Sequence, residues 1–266
     1  MRYIIDHDCH IHSNLSPCAR DPEQTAQTIL NFGVTHGLKY LCLTDHYWDA
    51  AVPSNWEAGS FYHELKLDFE FIRGYCPLPQ ADQCRFYFGC ETDMDGDRVI
   101  GIPKERWDDF DFIIVPTSHM HLRGFTVPDC DLPLEVRRET VIKRAEAFLN
   151  ADLPWGKVGL AHLTSGGTDV ETIAAISDGE WKRIFDGCRD RGCGVELNVS
   201  LKSLADPEES KTLLHPYMIA KKLGCKFYLG SDAHTTDAHV KAMGRFNLVV
   251  DLLDLEESDK FVPKTM

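Results

Sequence analysis

The residues of this chain best suited to chemistry are histidines and acids that close short apolar runs. Asp8-Cys9-His10-Ile11-His12 follows Tyr3-Ile4-Ile5. Side chains alternate along an extended strand, so His10 and His12 share a face with Asp8, while Cys9 and Ile11 take the other. Two imidazoles so placed can grip one metal ion. Asp8 could add a ligand, or accept a ring N–H and fix the tautomer that leaves the other nitrogen free. Later runs end alike: Tyr40–Leu43 leads to His46, Arg85–Cys90 to Glu91, Phe112–Val115 to His119, Val158–Ala161 to His162, Gly194–Leu197 to Asn198 and Lys226–Leu229 to Asp232.

The elements that must position these residues are β-branched or aromatic runs alternating with segments of helical period. Asp21-Pro22 reads as N-cap and first residue of a helix carrying Ile29, Leu30 and Phe32 inward. Further helices are expected around Leu65, Phe69 and Ile72, around Val136, Val141, Ala145 and Phe148, around Met218, Ile219 and Leu223, and near the C-terminus. Strand and helix alternate seven times, which calls for parallel strands with helical crossovers. An open sheet gathers only the strand ends beside its switch point, whereas a closed barrel brings all of them to one mouth. Seven polar ends therefore favour an α/β fold of the (β/α)7, TIM-like barrel kind, in one domain over 1–266. His7, His36, His63, His215 and His239 read as surface or hydrogen-bonded residues without partners in the set. Asp93-Met94-Asp95-Gly96-Asp97 lacks the glycine and glutamate positions of a calcium loop and reads as a solvated hairpin turn.

Composition narrows the function. The 266 residues are 43% hydrophobic and carry a formal charge of −14, which argues against a sequence-independent hold on nucleic acid. No apolar stretch of about 18 residues or signal-peptide pattern occurs, so a cytoplasmic protein without a membrane partner is expected. The ten cysteines are scattered with no Cys-x-x-Cys pair, and most are expected to be reduced. Neither a glycine-rich phosphate loop nor Gly-x-Ser-x-Gly is present, which leaves metal chemistry as the strongest reading.

In order, Asp8-x-His10-x-His12, Thr44-Asp45-His46, Gly89-Cys90-Glu91, His119, His162 and Gly230-Ser231-Asp232-Ala233-His234 resemble the PHP family, the polymerase and histidinol phosphatase domains. The resemblance covers nearly the whole chain, and size points to stand-alone phosphoesterases of the histidinol-phosphatase type. It implies a distorted seven-stranded barrel with two or three divalent ions, Zn, Mn or Fe. His10, His12, Glu91 and Asp232 would hold the first, Glu91 would bridge to a second completed by His119 and His162, and His46 and His234 would belong to a third. Many members add a His or Asp to that third site where this chain has Pro17 and Cys18, so Cys18 is either a thiolate ligand or an inert residue beside an incomplete site. His119 is expected to be the ligand of Ser118-His119-Met120-His121, with His121 facing substrate beside Asn198. Glu91 and His234, with Arg20 and Arg123 as a phosphate clamp, are the expected catalytic residues.

Metal ions about 3.5–4 Å apart can share a hydroxide and stabilise both oxygens of an in-line displacement. Hydrolysis of a small phosphomonoester follows as the expected activity, with histidinol phosphate as leading substrate and L-histidine biosynthesis as its setting. Two other classes stay open: an amidohydrolase-like metal hydrolase, and a non-catalytic metal-binding regulatory module. Oligomeric state is not encoded in any motif.

Overall fold

The apolar runs after the first become strands that are largely buried on both faces, as parallel strands between a barrel interior and outer helices must be, while the first strand lies just past Tyr3-Ile4-Ile5, over the His-rich stretch itself. The computed structural model describes residues 1–266. Its strands are β1 (His7–Ile11), β2 (Tyr40–Leu43), β3 (His46–Tyr47), β4 (Arg85–Thr92), β5 (Phe112–Pro116), β6 (Val158–Ala161), β7 (Gly194–Leu197) and β8 (Lys226–Leu229). All ladders are parallel, in the order β1-β2-β4-β5-β6-β7-β8. β2 and β3 flank Thr44-Asp45 and pair with successive parts of β4, so they are one interrupted strand and the barrel has seven staves. The α/β, TIM-like barrel expected from the strand ends is the fold observed.

Closure falls between β1 and β8. The backbone supplies His12 N–H to Ala233 O (3.1 Å) and Asp232 N–H to His10 O (2.8 Å). Elsewhere along the seam side chains replace the missing ladder: Ser231 N–H donates to Asp8 Oδ1 (2.9 Å) and Leu229 N–H to His7 Nε2 (3.1 Å). Asp8 is thus a seam residue. It is neither a ligand nor an acceptor of a ring N–H, and burial pushes its carboxyl up to about 6.

Inside the barrel, Cys9, Cys42, Phe112, Ile114, Ala161, Tyr228 and Phe261 form one cluster that draws on β1, β2, β5, β6, β8 and the C-terminal tail, across the barrel as well as along it. Cys9 therefore does not share a side with Ile11, which packs outward against Ile29 and Leu30. The cause is a register irregularity between Asp8 and Ile11 that breaks strict alternation. The tail closes the opposite end, with Phe261 N–H bonded to Phe227 O and Lys264 N–H to Gly156 O.

The helices are α1 (Ala26–Thr35), α2 (Phe61–Glu64), α3 (Phe69–Ile72), α4 (Leu134–Asn150), α5 (Val170–Ala175), α6 (Asp178–Arg191), α7 (Leu201–Ala205), α8 (Pro207–Lys222) and α9 (Thr236–Leu252). α1 begins later than the Asp21-Pro22 pair suggests, because Thr25 caps it through Thr28 N–H. Asp21 instead bonds Thr236 at the start of α9. The helix expected through Leu65 and Ile72 is two single turns, α2 and α3, broken by the left-handed Lys66. In α4, Val141, Ala145 and Phe148 are buried, but Val136 is exposed. His7 is buried in β1 against Asp6, and His239 in α9 against Gln24, so neither lacks a partner.

Candidate metal centre

Six strand ends meet at one mouth, and the tautomers of the histidines there follow from their outer partners. His10 Nδ1–H donates to Glu196 Oε1 (2.5 Å) and His119 Nδ1–H to Asp93 Oδ2 (2.7 Å). The Ser16 hydroxyl donates to Asp45 Oδ1 (2.7 Å), so Ser16 Oγ accepts from His12 Nδ1–H (3.0 Å). His162 Nδ1 meets Ser165 Oγ (2.8 Å), and His234 Nδ1–H donates to Asp232 O (2.8 Å). In His10, His12, His119 and His234 the Nδ1–H is donated to a protein acceptor, leaving Nε2 as a free lone pair, whereas His46 turns its Nδ1 to Glu91 Oε2 (2.9 Å).

Those lone pairs surround Glu91, which is wholly buried and has no hydrogen-bond partner on either carboxylate oxygen. An unsatisfied buried carboxylate among lone pairs is costly unless a cation sits between them. His10 Nε2 lies 3.1 Å from His12 Nε2, 3.5 Å from Glu91 Oε2 and 3.5 Å from Asp232 Oδ1. His12 Nε2 lies 3.3 Å from Glu91 Oε2 and 3.2 Å from Asp232 Oδ1. Four ligands about 2.0–2.1 Å from a tetrahedral ion stand roughly 3.3–3.4 Å apart, so these separations fit the edges of one such site. The other Glu91 oxygen, Oε1, faces His162 Nε2 (3.1 Å) and His119 Nε2 (3.4 Å), which marks a second position bridged by the same carboxylate. A third group, His12, Cys18, His46 and His234, has its ligand atoms within 4.8 Å of one another.

Without a cation the electrostatics are those of mutual neutralisation. Burial opposes charge on His10, but Glu196, Glu91 and Asp232 outweigh it and hold its pKa well above the usual range. Against the same burial penalty, Asp232 and Glu91 raise His12 to about 9. Glu91 and Asp232 are held far below ordinary carboxylates despite burial, chiefly by His10, His46 and His119 around the first and His162 and His10 around the second. His234, half-buried beside His12, falls to about 4, desolvation and the neighbouring imidazole outweighing Asp232. A divalent ion would take the place of those protons.

No protein-family model matches the sequence, and no curated protein matches it. Solved structures do. Histidinol phosphate phosphatase from Lactococcus lactis subsp. lactis Il1403, complexed with zinc, L-histidinol and phosphate, is similar with a TM-score of 0.59 at 15% identity, over 97% of this chain and 98% of that one. A candidate histidinol phosphatase from Listeria monocytogenes gives 0.57 at 13% identity, over 87% and 96%. The fold is that of the histidinol phosphate phosphatases.

Against that histidinol-phosphatase fold, the mouth contains residues that sequence patterning passes over. Glu196 orients His10 and accepts the His162 backbone N–H at Oε2 (2.7 Å). Its signal was an acid inside an apolar strand, two residues before Asn198. Asp93 and Asp95 are fully buried, which corrects the solvated-turn reading. The buried Arg144 of α4 neutralises Asp93 (3.2 Å) and also donates to the carbonyls of Thr117 and Asp95, while Tyr62 donates to Asp93 (3.2 Å). His162 and Asp232 have left-handed backbones, φ 55 and 54, a conformation carrying about 1–3 kcal/mol of strain that turns both side chains into the mouth.

Other candidate residues lie at the edge or outside. His121 is exposed, its ring 5.0 Å from that of His119 and its Nδ1–H on Gly166 O. Asn198 is buried at the end of β7 and belongs to none of the ligand groups. Arg20 is exposed two residues past Cys18, and Arg123 pairs at the surface with Asp131 (2.8 Å).

Proposed function

We propose that this chain, acting as one catalytic domain over residues 1–266, is a PHP-type metal-dependent phosphatase. Its reaction is the hydrolysis of a small phosphomonoester, with histidinol phosphate as substrate and a cytoplasmic place in histidine synthesis. The observation that carries this reading is Glu91: a buried carboxylate without a hydrogen bond, ringed by five imidazoles, of which His10, His12 and His119 have their outer nitrogens committed to protein acceptors. The donor set fits Zn, Mn or Fe in two or three positions. Such ions, when bound, supply a nucleophile at neutral pH and neutralise charge on the phosphoryl group. His10, His12, Glu91 and Asp232 would hold one, Glu91, His119 and His162 another, and Cys18, His46 and His234 the outermost.

The chain's own residues then have distinct tasks. Glu196, Asp93 and the Ser16–Asp45 pair keep each Nε2 aimed inward. Among the histidines and carboxylates of the ligand groups Asp232 and His234 are the most open, with side chains 25% and 28% exposed, and Cys18 beside them is exposed, so substrate approaches on their side. His121, Asn198, Arg20 and Arg123 are assigned to substrate contact around that opening. With a net charge of −14, attraction of a phosphate depends on the cations gathered here. The test is elemental analysis of protein purified without added metal, followed by a panel of phosphomonoesters including histidinol phosphate, with amides as controls. Glu91→Ala should remain folded, lose bound metal and fall in turnover by more than the roughly 100-fold typical of an orienting residue. Undiminished turnover in chelator-stripped enzyme would falsify the scheme.

A further inference from the structure

Resting on the metal-centre reading above, we infer that Cys18 makes the outermost position a thiolate–imidazole site selective for a zinc-class ion over a hard ion such as Mn or Mg. Ligand atoms of Cys18, His46, His234 and His12 lie within 4.8 Å of one another. His12 Nε2 already sits at 3.1–3.3 Å from His10, Asp232 and Glu91, and one imidazole nitrogen binds one ion. His12 is therefore committed inward. His46 Nδ1 lies 2.9 Å from Glu91 Oε2, so its other nitrogen, or Nδ1 shared with that carboxylate's outer edge, would join Cys18 and His234 around an outer ion, leaving room for solvent or substrate as at a catalytic rather than a closed structural zinc.

The placement of Cys18 is built by the fold. Residues 13–19 form two consecutive turns, Ser16 N–H to Ser13 O (3.0 Å) and Ala19 N–H to Ser16 O (2.9 Å). Both turns are pinned to buried Asp45, through Ser13 N–H (2.7 Å), Ser13 Oγ (2.6 Å) and Ser16 Oγ (2.7 Å). Asp45 directly precedes His46, so the same carboxylate that fixes the Cys18 loop fixes the strand end that offers His46. Of the ten cysteines, Cys18 alone belongs to a ligand group. A soft sulfur donor favours Zn and Co(II) and gives little to Mn or Mg. This chain would thus run a mixed centre: inner positions tolerant of several ions, and an outer one chosen by sulfur.

The test is cobalt loading of chelator-stripped full-length protein, read by the near-ultraviolet sulfur-to-cobalt charge-transfer band and by elemental analysis, in wild type, Cys18→Ser and Cys18→Asp. Wild type should show the band. Cys18→Ser should lack it and retain one equivalent fewer. Cys18→Asp should recover that equivalent without the band, and its Zn-over-Mn preference in competition should drop at least about tenfold. Cobalt bound with ligand-field absorption but no charge-transfer band in wild type, or a band that survives in Cys18→Ser, overturns the inference while leaving the metal centre intact. No cobalt bound by folded wild type overturns both. Because Cys18 is an exposed loop residue, both variants should keep the wild-type circular dichroism, which separates ligand loss from misfolding.

Discussion

Asp93 governs the ring without belonging to it. One oxygen accepts from His119 Nδ1–H (2.7 Å) and the other from the Arg144 guanidinium (3.2 Å), so both faces of the carboxylate are used. An amide has one acceptor and one donor end, and Asp93→Asn must turn its NH2 toward one of these two donors. His119 then loses its tautomer lock, or Arg144 keeps a buried charge unpaired. The expected result is a 10–100-fold weaker hold on the ion bridged by Glu91, together with about 1–3 kcal/mol lower stability. Chelator competition and urea unfolding measure the two, and a variant indistinguishable from wild type in both would remove Asp93 from its role. Nothing in Asp93-Met94-Asp95-Gly96-Asp97 announces this role, because the cation that makes burial tolerable comes from α4, 51 residues along the chain. The histidines were legible for the opposite reason: each lies within a few residues of an apolar run, a local pattern that needs no knowledge of packing.

At the scale of elements, parallel strands and their polar ends follow from short apolar runs bounded by turn residues, and the barrel follows from how many ends are polar. Cap chemistry was less legible. Asp21-Pro22 has the composition of a helix start, but Thr25 wins the cap while Asp21 is drawn to Thr236 on α9, a partner remote in sequence. The irregularity in β1 and the left-handed Asp232 sit at the seam, and the left-handed His162 at the end of β6, and no local propensity announces any of the three. Gly230 shows how tightly closure is drawn. A Cβ there would overlap Glu196 Oε1, because β8 leaves the sheet directly under the carboxylate offered by β7. Gly230→Ala should push Glu196 off His10 and the His162 N–H, destabilising the barrel by about 1–3 kcal/mol and weakening metal binding about tenfold or more. A Gly230→Ala protein with unchanged metal affinity would show that Glu196 can relax without moving His10.

For the molecule as a whole, the ring would act as a fastener when loaded: ions at the mouth would tie together ends of strands that the ladders join only in sequence along the sheet, beside the sparse β1–β8 seam. Binding to the folded state alone adds about 2.7 kcal/mol per ion at a free concentration 100 times Kd, so chelation should lower Tm by several degrees. The size of that drop should depend on pH, with a sign fixed by His12 and His10. In the ion-free protein His12 is raised to about 9 and His10 is also held well above its ordinary value, against roughly 6.5 in the unfolded chain. A raised folded pKa contributes stability that is complete below about 6.5 and is lost as pH climbs through 9. For a shift of this size that loss is on the order of 3 kcal/mol, as protons that offset Glu91 and Asp232 leave the ring. The metal-loaded protein holds these imidazoles neutral and ligated, so it is spared that loss, and ion affinity itself rises as competing protons are removed. The Tm gap between loaded and chelated protein should therefore widen steadily from pH 6.5 to 9. A gap that stays constant or narrows over that range would mean that protons and ions do not compete for these nitrogens, and that Glu91 is neutralised by something other than the ring around it.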